Sequence, residues 1–164
     1  MNATKHSGEA TGGNQTTVER TSDREIVVTR TFDAPAALVF EAWSRPELFR
    51  RWWVPRSMGM TLTSCEMDVR TGGTYRLGFE GMDFFGRYLE VMPPSLIVWT
   101  NEEGGEDGSV TTVTLTEADG QTQVVVTERF PSAEALAAEG SAADALHETF
   151  TQLDELLVEL VAAT

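Results

Sequence analysis

The sequence predicts an α+β domain in which an antiparallel sheet is covered by one long C-terminal helix. Three observations predict it. Turn signals recur at short intervals: "TGG" at 71–73, "EGMD" at 80–83, "MPPS" at 92–95, "EEGGEDG" at 102–108 and "EADGQ" at 117–121. Connections this short favour hairpins over helical crossovers. From Ser132 onward, Leu146, Phe150, Leu153, Leu157 and Leu160 recur at spacings of four and three, which on a helix makes one apolar stripe. Such a helix needs a surface to cover, and the sheet is the only large one the chain offers.

Composition bounds the rest. A chain of 164 residues, 41% hydrophobic and 23% charged, has the material for one globular domain with a real core. Its formal charge of −14 argues against nucleic acid or an anionic membrane surface as a partner. Cys65 is the only cysteine, so an intramolecular disulfide is impossible and a reducing cytoplasm is the expected compartment. No apolar run approaches the roughly 20 residues of a membrane helix. Residues 1–23 are rich in Thr, Gly, Ser and Asn, offer little to bury and read as a disordered tail, leaving 24–164 as a single domain.

The elements follow in order. "REIVVTRTF" is β-branched and reads as a strand that stops at Asp33 and Pro35. "PAALVFEAW" reads as a short helix. Ser44 and Glu47 have the S-x-x-E spacing of a capping box ahead of a second short helix, with Pro46 in its first turn. That helix is expected to carry Leu48, Phe49, Trp52 and Trp53 and to end at Pro55. Six further strands are expected near 58–69, 74–80, 85–92, 95–101, 109–117 and 122–130, the last two forming a hairpin that turns at Asp119 and Gly120. Asp154, Glu155 and Glu159 fall off the apolar stripe of the last helix and are expected to face water.

Few residues suit catalysis. Of two histidines, His6 lies in the tail and His147 at the margin of the helical stripe, which leaves His147 as the one ordered general-base candidate. No H-x-x-x-H or C-x-x-C spacing exists, so no metal and no cofactor is expected. Glu66 and Asp68 share one strand face and read as solvated. Tyr75, Leu77 and Phe79 alternate along one strand, Ile97 and Trp99 along another, with Phe84, Phe85 and Tyr88 between them. Met58, Met60, Met67, Met82 and Met92 supply adaptable filler. These residues would line a ligand cavity or equally make a dry core. "RRWWVP" at 50–55 sets Trp52 and Trp53 among arginines, reading first as a plug of the core and second as a gate.

"FDAPAALVFEAWSRPELFRRWW" at 32–53, "CEMDVRTGGTYRL" at 65–77, "GRYLEVMPPSLIVWT" at 86–100 and "FPSAEALAAEGSAADALHETFTQLDELL" at 130–157 together resemble the helix-grip fold of the START and Bet v 1-like (SRPBCC) superfamily. Within it, the chain is similar to stand-alone bacterial members of the family named after the C-terminal domain of the activator of Hsp90 ATPase. The resemblance runs from about Glu25 to Leu160. It implies a curved seven-stranded sheet gripping the C-terminal helix, with two short helices closing one end of an apolar cavity. It departs at Gly140, which many relatives follow with Trp and this chain follows with Ser141.

On that footing the candidates to line the cavity are Trp52, Trp53, Tyr75, Leu77, Phe79, Phe85, Tyr88, Trp99, His147 and Phe150. The expected function is non-catalytic binding of a small hydrophobic or aromatic molecule. Two alternatives stay open at this point: an enzyme resembling the polyketide cyclases and aromatases, served by His147, Tyr75, Tyr88 and an arginine, and a protein that binds an Hsp90-type chaperone. A homodimer formed through a strand edge or the helical end is a further expectation.

Overall fold

A computed structural model of the chain describes residues 15–79, 81–103, 105, 108–139 and 142–163. Its sheet has eight strands and not seven, all antiparallel, in the order β1-β2-β8-β7-β6-β5-β4-β3. These are β1 (Thr17–Ser22), β2 (Glu25–Phe32), β3 (Ser64–Met67), β4 (Thr74–Phe79), β5 (Met82–Met92), β6 (Leu96–Thr100), β7 (Val110–Ala118) and β8 (Gln121–Arg129). Helices α1 (Ala36–Ser44) and α2 (Pro46–Phe49) follow β2, and α3 (Ala133–Glu139) and α4 (Ala142–Ala162) end the chain.

The eighth strand, β1, lies in the stretch read as a tail. It turns back on β2 and pairs Thr17 with Thr29 through Ser22 with Glu25. All six of its residues are exposed, which is why hydrophobic patterning missed it: backbone pairing at a sheet edge needs no buried side chain. Residues 1–14 lie outside the described residues, as do Gly140 and Ser141, where the departure from the relatives falls.

Two local readings are corrected. The capping box does not form, because Ser44 stays helical and its hydroxyl donates to the Phe40 carbonyl at 2.7 Å, while Arg45 takes the N-cap position of α2 and its guanidinium holds Glu47. The strand expected near 58–69 shrinks to Ser64–Met67, preceded by a 3₁₀ turn at Arg56–Met58. The β7–β8 hairpin is as expected, with Asp119 and Gly120 both at positive φ (56° and 78°) between the paired Ala118 and Gln121. That geometry belongs to the two-residue turns whose twist matches the flanking strands.

The core lies between the inner face of the sheet and the helices. Val28 and Phe32 of β2, Ile97 of β6, Val113 and Leu115 of β7 and Val124 and Val126 of β8 alternate inward, and Phe150, Leu153, Leu156 and Leu157 of α4 meet them. Phe32 and Phe150 touch edge to face at 5.6 Å. β5 pairs with β4 through its first half and with β6 through its second. A Cβ on Gly86 would collide with the Thr100 carbonyl, and a bulge follows between Tyr88 and Glu90.

Glu155 and Glu159 face water, as expected, paired with Arg56 and Arg51. Asp154 does not. It turns to the buried Arg30 of β2, whose Nη2 lies 3.4 Å from Asp154 Oδ2 and whose Nη1 donates to Thr16 Oγ1. Burial pushes the Asp154 carboxyl up from its ordinary range, and the Arg30 charge only partly offsets it. A raised folded pKa means that the native state takes the proton more readily than the unfolded chain does. Ionised Asp154 therefore counts against folding at neutral pH, and this penalty fades as pH falls through the raised pKa. Asp154→Asn, which keeps an acceptor for Arg30, is expected to match or exceed the wild type in urea unfolding at pH 7 and to lose that standing at pH 4.

Candidate functional site

The helices α1 and α2 position a cluster of aromatic rings against the open end of the sheet. On α1, Ala36, Val39, Ala42 and Trp43 fall on one buried face, the spacing of an amphipathic turn. Trp43 reaches furthest. Its ring lies 4.8 Å from Trp52, 6.0 Å from Trp53, 6.0 Å from Trp99, 6.5 Å from Phe49 and 6.3 Å from Phe150. Its Nε1 is buried without a hydrogen-bond partner.

Trp52 and Trp53 divide the two roles. Trp52 is fully buried and donates from Nε1 to the Ala42 carbonyl at 2.9 Å, so it is the plug. Trp53 is half-buried, stacks on Phe49 at 4.8 Å and turns its other side to a cavity. That cavity has a volume of about 380 Å³. One wall is Tyr75, Leu77 and Phe79 of β4, continued by Phe84 and Tyr88 of β5 and Trp99 of β6; the other is Trp43, Phe49, Trp53 and Leu146. Met58, Glu103 and Ala145 line it and are exposed, which places its mouth between the 3₁₀ turn, the end of β6 and the start of α4.

One end of the cavity is polar. Asn101, Ser109 and Glu128 line it there, and they lie on the inward parity of β6, β7 and β8, in line with Trp99, Thr111 and Val126. Tyr75 Oη donates to the Thr100 carbonyl at 2.7 Å and lies 3.2 Å from Asn101 Oδ1, to which Trp99 Nε1 also donates. Asn101 Nδ2 donates to Ser109 Oγ at 2.9 Å and Thr111 Oγ1 at 3.0 Å, and Ser109 Oγ donates to Glu128 Oε2 at 2.8 Å. Because the indole only donates, it fixes which way the Asn101 amide faces. Burial pushes the Tyr75 and Tyr88 hydroxyls well above the usual phenol range, so both stay neutral.

A strap closes the side nearest α4. Gln152, buried on α4, donates from Nε2 to the carbonyls of Trp52 (3.0 Å) and Val54 (2.9 Å) and accepts the Arg56 amide on Oε1 at 2.8 Å. Glu148 accepts the amide and hydroxyl of Ser57, which hold its carboxyl below the usual range. Val54, Pro55 and Met58 of this strap line the cavity.

The family model described as activator of Hsp90 ATPase homolog 1-like protein matches residues 33–158. The chain belongs to this family. Solved structures of similar fold include a protein from Rhodobacter sphaeroides (22% identity, TM-score 0.79, covering 89% of this chain and 99% of that one). A second is protein Ms6760 from Mycobacterium smegmatis (25%, 0.73, 88% and 99%). A third is CalU16 from Micromonospora echinospora (21%, 0.60, 88% and 83%). A search among curated proteins finds no match. The large antiparallel sheet with a C-terminal helix is the architecture of these neighbours, in agreement with the helix-grip expectation.

The ten residues named from sequence separate. Trp53, Tyr75, Leu77, Phe79, Tyr88 and Trp99 line the cavity. Trp52 and Phe150 are in the dry core behind it. Phe85 projects from the opposite face of β5, because Phe84 holds the inward parity, and the Arg76 guanidinium covers its ring at 4.8 Å. His147 is exposed on α4 and lies outside the lining. Cys65 packs against Met67 Sδ at 3.6 Å, and burial pushes its thiol up, away from nucleophilic character. Glu66 and Asp68 are exposed. Trp43, Asn101, Ser109 and Glu128 were missed, although parity carried a signal: Asn101 is in step with Ile97 and Trp99, and Glu128 with Val124 and Val126. Among the described residues, no group of three or more His, Cys, Asp or Glu is placed to hold a metal, and no helix is long and apolar enough to cross a membrane.

Proposed function

We propose that this protein binds a small hydrophobic or aromatic molecule in the cavity between β4–β6 and the helices, without transforming it. The carrying observation is a volume of about 380 Å³ walled by aromatic rings with a polar group set at one end, which is the size and make-up of sites that enclose small organic ligands. Membership of a superfamily whose cavities hold hydrophobic ligands supports the same reading. The cyclase-like alternative relied on His147 as its base, and the exposure of His147 on α4 takes that support away.

The test uses N-phenyl-1-naphthylamine, whose fluorescence rises on entering an apolar site, alongside native mass spectrometry of the gently purified protein for any co-purified molecule. Leu77→Trp is expected to weaken binding of the dye about tenfold or more by taking up cavity volume. Phe85→Ala and His147→Ala, both outside the cavity, are expected to leave it unchanged. Equal loss in all three variants, or no binding to the wild type, would remove the cavity as the site.

A further inference from the structure

We propose that the ligand of this cavity is an uncharged molecule carrying a carbonyl or ether oxygen, and that this oxygen accepts a hydrogen bond from Tyr88 Oη. This deepens the binding function proposed above and rests on it. Tyr88 lies on the inward parity of β5 in step with Phe84, is 4% exposed and lines the cavity. Among the described residues nothing pairs with its hydroxyl. Tyr75, whose ring lies 5.7 Å away, shows the ordinary arrangement, with its Oη donating to the Thr100 carbonyl at 2.7 Å. Buried hydroxyls are nearly always paired, and one left open on a cavity wall calls for a partner from the occupant.

A phenol both gives and takes a hydrogen bond, and the giving role is the one that needs the ligand. A ligand that only donated to Tyr88 would leave the phenolic hydrogen unpaired in an apolar wall, whereas an acceptor oxygen satisfies it. Trp43 Nε1 is a second unpartnered donor of the same wall, and an indole N–H can only donate. It has no exposed surface, so Tyr88 is the donor the occupant meets. The acceptor is uncharged because no Lys, Arg or His is among the described lining residues, and a carboxylate or phenolate buried there would have no counter-charge. Burial first, then Cys65 and Asp68, push the Tyr88 hydroxyl up, and the Asp68 charge acts against a ligand anion in the same way.

Three naphthalenes test this by displacement of N-phenyl-1-naphthylamine: 2-acetonaphthone, 2-isopropenylnaphthalene and 2-naphthoate. The first two have one shape and differ in carrying C=O or C=CH₂, so their ratio reads the acceptor and cancels the apolar contact. Tyr88→Phe keeps the ring and removes only the donor. It is expected to weaken the ketone about fivefold and to leave the alkene within about twofold of its wild-type affinity. 2-Naphthoate is expected to bind weakest of the three to the wild type. A ketone affinity that Tyr88→Phe leaves unchanged overturns the inference, and so does an equal loss of ketone and alkene, which would make Tyr88 a packing residue only. 2-Naphthoate bound as tightly as the ketone, or a ketone that fails to displace the dye from the wild type, overturns it too. In each of these results the dye still binds and the cavity reading stands; a wild type that does not bind the dye overturns the cavity reading itself.

Discussion

Trp43→Ala is expected to lose about 3–5 kcal/mol of folding stability, the range for truncating a buried aromatic. Trp43 is 2% exposed and its ring meets Phe49, Trp52, Trp53, Trp99 and Phe150. No neighbour is free to fill the space: Trp52 is held by Ala42, Trp99 by the sheet and Phe150 by Phe32. The hole therefore stays open, and the cavity term adds to the lost transfer energy. Edge-to-face pairs are each worth about 0.5–1.5 kcal/mol beyond area, so the loss of several at once places the effect near the top of the range. Against a total of about 5–15 kcal/mol for a domain, such a variant is close to unfolding at physiological temperature. Trp43→Phe separates the causes. It keeps a ring in place and removes the unpartnered N–H, so its cost in chemical denaturation is expected near 1 kcal/mol.

The contrast between Trp43 and the residues named from sequence shows what patterning carries. Period-two alternation put Tyr75, Leu77, Phe79 and Trp99 on one face each, and the cavity wall follows directly from that alternation. The stripe on the last helix placed Phe150, Leu153 and Leu157 in the core for the same reason. Alternation within one strand does not say which of two adjacent rings points inward, and Phe85 was set in the cavity where Phe84 belongs. Parity signalled the inward faces of Asn101 and Glu128 one at a time, but their meeting was not legible, because the polar end is assembled from the ends of three strands: Thr111 is opposite both Trp99 and Glu128, and no single stretch of sequence contains those pairings. β1 was missed because pairing at an edge is a backbone event, and its exposed "TVERTS" has no apolar rhythm to betray it.

Gln152 is the second residue whose loss is expected to be large, and for a polar reason. The chain from Trp52 to Arg56 leaves α2 without joining a sheet ladder, so its backbone groups need side-chain partners. Gln152 satisfies the carbonyls of Trp52 and Val54 and the amide of Arg56 from a position 3% exposed. Gln152→Leu fills the same volume and satisfies none of the three. Each buried group left unpaired costs about 1–3 kcal/mol, water reaching the half-buried Val54 end reduces the sum, and the expected loss is about 2–4 kcal/mol. Gln152→Glu sharpens the test. A carboxylate accepts from Arg56 and has nothing to donate to two carbonyl oxygens, so at pH 7 it is expected to cost at least as much as leucine. Burial against those oxygens raises its folded pKa above the unfolded value, so the native state of this variant binds a proton the unfolded chain does not, and its deficit narrows as pH falls through that pKa. The leucine variant has no such group, and its deficit is expected to stay flat with pH. Since Val54, Pro55 and Met58 form the cavity wall on this side, both variants are also expected to speed amide exchange at residues 53–58 and to weaken N-phenyl-1-naphthylamine binding. A leucine variant with the dye affinity and exchange rates of the wild type would mean that the strap holds its place without Gln152, and that the cavity wall is set by the rings alone.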